Sequence, residues 1–270
     1  MALLALLRGG GDLASGVALR LARAGIQVIV AELPRPLAVR RLASFAQAIY
    51  DGQIEIEGIT GRRVEGLDGV GAALARGQVP VLVDPDADIA AALQLDVLVD
   101  ARMTKRPPQP QLHLARFVVG LGPGFTAGVD CHAVVETQRG PFLGREYWQG
   151  SAAADTGLPE TVRGHQGDRV LRAPVAGMLE TRVMIGSRVQ AGQPLAAVDG
   201  HVLSAPFDGV LRGLLQNGLA VKQGEKIGDL DPRGDERLVR LASDKALAIG
   251  GGVLEAVLSR PELRAKLGEA

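Results

Sequence analysis

The sequence predicts an α/β fold in which a Rossmann-like, mostly parallel sheet is joined to a small all-β barrel-sandwich module. Three observations carry this expectation. Over residues 1–150, short apolar runs alternate with helical periodicities, the pattern of a parallel sheet covered on both faces. From Val170 to Leu230 the chain changes to short β-type runs broken by Gly and Pro. Within that stretch, residues 171–200 and 203–232 align at an offset of 32 without gaps. Nine of thirty positions are identical, among them Pro174/Pro206, Gly177/Gly209, Gly186/Gly218 and Gly192/Gly224. This reads as two copies of one strand-turn unit, each too small to bury its own face, sharing one core. The expected domains are therefore 1–150, 165–233, and a helical segment at 236–260 that packs back on the first.

The elements follow in order. Ala2–Leu7 is an unbroken apolar run, as a buried parallel strand requires. A turn at Gly9–Asp12 leads into a helix marked by Leu13, Val17, Leu21 and Ala24 and stopped at Gly25. Ile26–Val30 is the second strand. A helix is expected over Ala38–Ile49, after Pro34 and Pro36, and Gln53–Glu57 alternates like a half-exposed strand. Val70–Arg76 and Ile89–Leu95 read as helices, and Val79–Val83, Val97–Asp100 and Phe117–Leu121 as strands. Ser243–Leu258 has helical spacing at Ala246, Ile249, Val253 and Val257, and Pro261–Ala270 reads as a charged, frayed end.

Composition removes several function classes. Thirty basic residues balance thirty acidic ones, which disfavours a basic nucleic-acid coat or an acidic tail. Five Phe, two Tyr and one Trp are too few for base-stacking platforms, so no nucleic-acid partner is expected. One cysteine excludes an internal disulfide framework and a cysteine zinc cage; no metal site is assigned. No apolar run approaches the roughly 20 residues of a membrane helix. The opening MALLALL lacks a basic flank and reads as a strand, not a signal peptide, so a cytoplasmic protein is the expectation.

Candidate chemistry gathers at strand ends. Gly9-x-Gly11-x-x-Ala14 lies between a strand and a helix, the context of a dinucleotide turn. Gly9 permits the tight turn, Gly11 lets a phosphate approach the backbone, and Ala14 allows close helix–strand packing. Glu32, ending the second strand, stands where a ribose hydroxyl would be bound. Asp12 argues against a pyrophosphate unless it faces away or caps the helix. Arg102, Lys105 and Arg106 follow a strand's carboxyl end, where open α/β sheets bind ligands. Gly122, Gly124 and Thr126 belong to a second Gly-rich loop, GLGPGFTAG, able to cradle an anion. Asp130 and His132 share one face if 130–137 is a strand, as an acid–base pair or a pair of ligands. Cys131, on the other face, reads as a buried small hydrophobe, with a sulfur- or selenium-carrying role as the alternative. The A-P-x-x-G turns of the repeat resemble biotinyl/lipoyl-type modules, but the junction Val198–Ser204 has no carrier lysine. A docking or capping role fits it better.

Seven blocks together resemble the YqeB family: RGGGDLASGVALRL (8–21), LVDARMTKR (98–106), GLGPGFTAGVDCHAVVETQRG (120–140), RAPVAGMLE (172–180), PFDGVLRGLL (206–215), KIGDLDPRG (226–234) and SDKALAIGGGVLEAVL (243–258). That resemblance implies an accessory or maturation role in a selenium-dependent molybdenum hydroxylase system. The first block also resembles the Rossmann part of the XdhC accessory proteins, which handle the molybdenum cofactor. On this reading the ligand is a phosphate-bearing small molecule, either the pterin cofactor or a nucleotide such as NAD(P), and the partner is a hydroxylase subunit. A homo-oligomer is compatible with the sequence. Two other readings stay open: an NAD(P)-dependent oxidoreductase, and a non-catalytic scaffold that docks a hydroxylase subunit. The residues leave open whether any turnover occurs.

Overall fold

A computed structural model describes residues 2–109 and 111–267. The chain divides into two units. The first comprises Met1–Pro36, Phe45–Asp155 and Ala242–Ala270; the second comprises Leu37–Ser44 and Thr156–Leu241.

The first unit is built on nine strands: β1 (Leu4–Arg8), β2 (Gln27–Glu32), β3 (Gln53–Ile56), β4 (Ile59–Arg63), β5 (Val79–Val83), β6 (Val97–Asp100), β7 (Phe117–Leu121), β8 (Ala133–Val135) and β9 (Glu146–Tyr147). Their order is β3-β4-β5-β2-β1-β6-β7-β8-β9. The inner pairings from β4 to β8 are parallel, while β3–β4 and β8–β9 are antiparallel. The helices are α1 (Asp12–Arg23), α2 (Ala48–Asp51), α3 (Gly66–Leu74), α4 (Asp244–Leu258) and α5 (Pro261–Leu267). Side chains alternate across the strands. Leu3, Ala5 and Leu7 join a core that includes Val17, Leu21, Val253 and Val257 from α1 and α4. Leu6, Ile29, Leu98 and Val118 face the other way, onto Val70 of α3 and the loop residues Ala87, Leu95 and Phe125.

This arrangement corrects the expected fold class. A Rossmann-like domain carries crossover helices on both faces of its sheet. Here the chain passes from β5 to β6 and from β6 to β7 through short 3₁₀ turns and irregular segments, and both edges of the sheet end in antiparallel strands. The sheet is mixed. Two of the expected helices are absent for identifiable reasons. At Ile89–Leu95 there is only a 3₁₀ turn, Asp88–Ala92, closed at its start by Asp84, which accepts from the amides of Asp88 and Ile89, and stopped by an extended Leu93. Ala38–Ile49 is cut in two by an extended Ser44. Its first part belongs to the second unit, where Arg40 donates to the carbonyls of Leu238 and Leu241 and Arg41 to that of Leu214. Tertiary partners override the periodicity. Of the expected frayed end, Pro261–Leu267 form α5, and residues 268–270 lie outside the described residues.

The second unit holds β10 (Val170–Arg172), β11 (Gly177–Thr181), β12 (Arg188–Val189), β13 (Pro194–Val198), β14 (His201–Ser204), β15 (Gly209–Leu214), β16 (Ala220–Val221) and β17 (Lys226–Asp231). These form two four-stranded sheets, β10-β17-β15-β12 and β14-β13-β11-β16, antiparallel throughout. This replaces the expected single barrel-sandwich description. The starts of β11, β12 and β13 recur 32 residues later as those of β15, β16 and β17. Each sheet takes two strands from each side of that offset, so β11 pairs with β16 and β12 with β15. Leu179 and Leu211, repeat equivalents, both lie in the shared core with Leu195 and Ile227. Neither copy could bury these side chains alone.

Candidate functional site

The parallel strands β1, β6 and β7 end together at one edge of the sheet, and three loops leave from there. The first is Gly9–Asp12. The amide of Gly9 donates to the Ala31 carbonyl at 2.7 Å. Gly10 is locked more tightly. Its amide donates to Glu32 Oε2 at 2.6 Å, and its carbonyl accepts from the Ala46 amide at 2.8 Å. A Cβ at Gly10 would stand 2.8 Å from Val30 and 2.9 Å from the Ala46 nitrogen. Gly11 differs. It is the N-cap of α1 in an extended conformation, no side chain caps the helix, and a Cβ there would meet nothing within 4 Å. The backbone at the start of α1 is therefore approachable from outside. Ala14 is buried beneath it in the core.

A second helix begins beside the first. A Cβ on Gly16 would run into the Ala246 carbonyl, one on Gly250 would reach the Gly16 carbonyl at 2.5 Å and the Arg20 side chain at 2.9 Å, and Arg20 Nε donates to the Leu247 carbonyl at 3.4 Å. The contacts advance in the same direction along both helices, so α1 and α4 run parallel with their N-termini side by side. Each N-terminus carries the positive end of a helix dipole. Ser243 caps α4 by accepting from the Ala246 amide at 3.0 Å. Asp12 and Lys245 stand in the two first turns and interact electrostatically. Burial and the nearby Arg139 hold the Lys245 ammonium below its ordinary pKa, against the pull of Asp12 and Asp155.

The other expected residues are accounted for individually. Glu32 is buried, and both its oxygens are engaged by backbone, Oε2 by Gly10 and Oε1 by Leu33 at 2.7 Å; burial raises its pKa. It fixes the turn. Arg102 grips the fully buried Asp100 through Nε at 3.0 Å and Nη2 at 2.7 Å, and this bond raises its pKa. Asp100 also accepts from Gln111 Nε2 at 3.1 Å, and Gln111 Oε1 accepts from Arg8 Nη1 at 3.1 Å. Burial, then Arg102, depresses the Arg8 pKa. Lys105 Nζ pairs with Asp155 at 2.6 Å. Two cations expected to face an anion are thus already answered by carboxylates.

The second Gly-rich loop is filled by the chain itself at Gly120, Gly122 and Gly124, whereas a Cβ on Gly128 would meet nothing within 4 Å. A Cβ on Gly120 would collide with Phe125, and one on Gly122 with Thr137 Oγ1. At Gly124, whose φ is +105°, it would stand 2.8 Å from the Arg106 backbone. The Thr126 amide donates to Asp130 Oδ2 at 2.9 Å, and its hydroxyl meets Ser151 Oγ at 3.0 Å. The expected strand over 130–137 is shorter, starting at Ala133. Asp130 and His132 therefore do not form the pair expected of them. Asp130 closes the Thr126 turn, whereas His132 Nδ1 accepts from the Val118 amide at 2.9 Å. Burial, then Arg260, lowers the His132 pKa. Burial pushes the Cys131 thiol up to about 12, so it stays protonated near neutrality, unlike a nucleophilic or metal-binding thiolate. Among the described residues, no group of three or more His, Cys, Asp or Glu side chains could hold a metal ion.

No family model matches the sequence. Among curated proteins, 45% identity extends over 255 residues to "Uncharacterized protein YqeB" of Escherichia coli K12, covering 94% of this chain and 47% of that one. The chain is a relative of YqeB. It spans about half the length of that relative. The similarity to YqeB supports the family resemblance read from the seven sequence blocks. Solved structures give only slight likenesses. An aspartoacylase family protein from Mesorhizobium loti is 13% identical with a TM-score of 0.26, and a succinylglutamate desuccinylase from Silicibacter is 14% identical with a TM-score of 0.24. Each alignment covers 85% of this chain and 84% of the other. Scores this low say nothing about the chemistry. Among the described residues, no helix is long and apolar enough to cross a membrane.

Proposed function

We propose that this protein binds a phosphate-bearing small molecule at the start of α1, as an accessory or maturation factor of a molybdenum hydroxylase system. The observation that carries the binding reading is the open space at Gly11. Gly9 and Gly10 are pinned by backbone and by Glu32, while Gly11 leads into an uncapped helix start with nothing within 4 Å of where a side chain would be. Amides at a helix start, reinforced by the positive ends of two adjacent dipoles, suit an anion. A phosphate is the fitting group, because it can accept from several amides at once. The molybdenum cofactor's phosphate or a nucleotide would meet the same backbone. When bound, the cofactor would supply the redox chemistry of a client enzyme, and this chain would hold its phosphate. The accessory role, a hydroxylase subunit as partner and a cytoplasmic setting rest on the resemblance to the YqeB family.

The test exploits the space at Gly11. Its φ of −69° suits any L-residue, so Gly11→Ala should leave the fold intact while placing a methyl group where the phosphate sits. Titration calorimetry with pyrophosphate at low salt should detect binding to the natural chain and a loss of at least about tenfold in the variant. Equal affinity in both would remove the proposed site.

A further inference from the structure

In a dinucleotide turn, the acidic residue that ends the second strand binds the hydroxyls of the adenosine ribose. Here that residue is Glu32, and both its oxygens are committed to the chain. Oε2 accepts from the Gly10 amide at 2.6 Å and Oε1 from the Leu33 amide at 2.7 Å, and the residue is only 8% exposed. A ribose reaching for this carboxylate would have to displace one of those amides. The turn itself is covered on the same side. Phe45–Gln47 form a 3₁₀ turn whose three residues are all buried, and it packs on Gly10. The Ala46 amide donates to the Gly10 carbonyl at 2.8 Å, and the Phe45 amide donates to Ser15 Oγ at 2.8 Å. Ser15 Oγ in turn donates to the Gly10 carbonyl at 3.2 Å. Behind this segment, a Cβ on Gly61 of β4 would run into the Phe45 ring. The segment is wedged between β4 and the turn, with backbone bonds holding it to both Gly10 and Ser15.

We propose that this turn is closed to adenine dinucleotides, because Glu32 and the Phe45–Gln47 segment fill the position that the adenosine ribose needs. Glu32 then sets specificity by exclusion: the carboxylate that would recognise a ribose locks the turn shut. The closure does not depend on an anion at Gly11. Joined to the phosphate-binding reading above, on which this narrowing rests, it restricts the ligand to phosphate or pyrophosphate compounds with no nucleoside ribose on the Glu32 side. Gly11 stays approachable because the segment packs one residue earlier, where a Cβ on Gly10 would stand 2.9 Å from the Ala46 nitrogen.

The test joins a fluorescence titration with NADH to amide hydrogen exchange, both on the full natural chain. NADH emission should show no saturable change on mixing. The amides of Gly10, Phe45 and Ala46 should exchange at least about a hundredfold more slowly than free-peptide amides, with and without millimolar NADH. Glu32→Gln should speed exchange at Gly10 or Leu33 about tenfold, because an amide side chain has one acceptor oxygen where the carboxylate has two. Fast exchange at Gly10, Phe45 and Ala46 in the natural chain would mean an open turn and overturn the proposal, as would a saturable NADH signal. Unchanged exchange at both amides in Glu32→Gln would remove Glu32 from the lock. Pyrophosphate separates the two readings. If it does not bind, while the three amides stay protected and NADH gives no signal, the phosphate site falls and the closure stands.

Discussion

The two Gly-rich loops at the sheet edge look alike in sequence and differ in what surrounds them. In GLGPGFTAG, Gly120, Gly122 and Gly124 are there because Phe125, Thr137 and the Arg106 backbone leave no room for a Cβ, while Gly128 faces open space at a φ of +87°. In RGGGD, Gly10 serves the same packing purpose, but Gly11 faces open space at a helix start. Glycine richness therefore marks close approach, and only the identity of the approaching atom separates chain from ligand. The cations Arg102 and Lys105 follow the closed pattern and complete the protein's own network.

Substitutions can break or sharpen this contrast. The largest effect is expected at Gly124→Ala, where a positive φ and the Arg106 backbone at 2.8 Å both oppose a side chain. A loss of about 3 kcal/mol is expected in urea unfolding. Asp130→Ala should cost about 1–2 kcal/mol by removing the acceptor of the Thr126 amide. If Asp130 were instead a proton-transfer group with no part in the turn, stability would hardly change. Gly11→Ala should cost less than about 1 kcal/mol, since only the capping preference is lost. A larger loss would mean that the space at Gly11 is filled.

Acidity probes the second loop without changing its glycines. The folded pKa of His132 lies below its ordinary value near 6.5, so the unfolded chain takes up the proton first. The stabilisation is present in full above that value and is lost as pH falls from there through the folded pKa. The urea midpoint of the natural chain should drop across that window, and His132→Gln should flatten the drop. An unchanged slope in the variant would assign the acid sensitivity elsewhere.

Much of the strand framework was legible, because strands buried on both faces are unbroken apolar runs, as at Leu4–Leu7 and Phe117–Leu121. The repeat was legible because its turns need Gly and Pro at fixed offsets. Helix α4 was legible from its apolar spacing, and the structure adds the Ser243 cap. The fold class was not. Whether a crossover is a helix or a 3₁₀ turn depends on caps such as Asp84, and whether 37–44 coils into a helix depends on carbonyls some 200 residues away. For the site, Gly9, Gly11 and Ala14 could be found from the strand–turn–helix context. The occupation of Lys105 could not, because its partner lies 50 residues on. The neighbourhood of Lys245 was missed for a related reason: nothing local ties the start of α4 to that of α1, which are brought together by long-range contacts such as those of Gly16 with Ala246 and Gly250.

The most direct test of the central claim is an amide chemical-shift titration of the isotope-labelled chain with pyrophosphate. Shifts concentrated at Gly11–Ala14 and in the first turn of α4, with residues 120–128 silent, are the predicted result. Shifts centred on 120–128, or none at Gly11–Ala14 at saturating pyrophosphate, would contradict it.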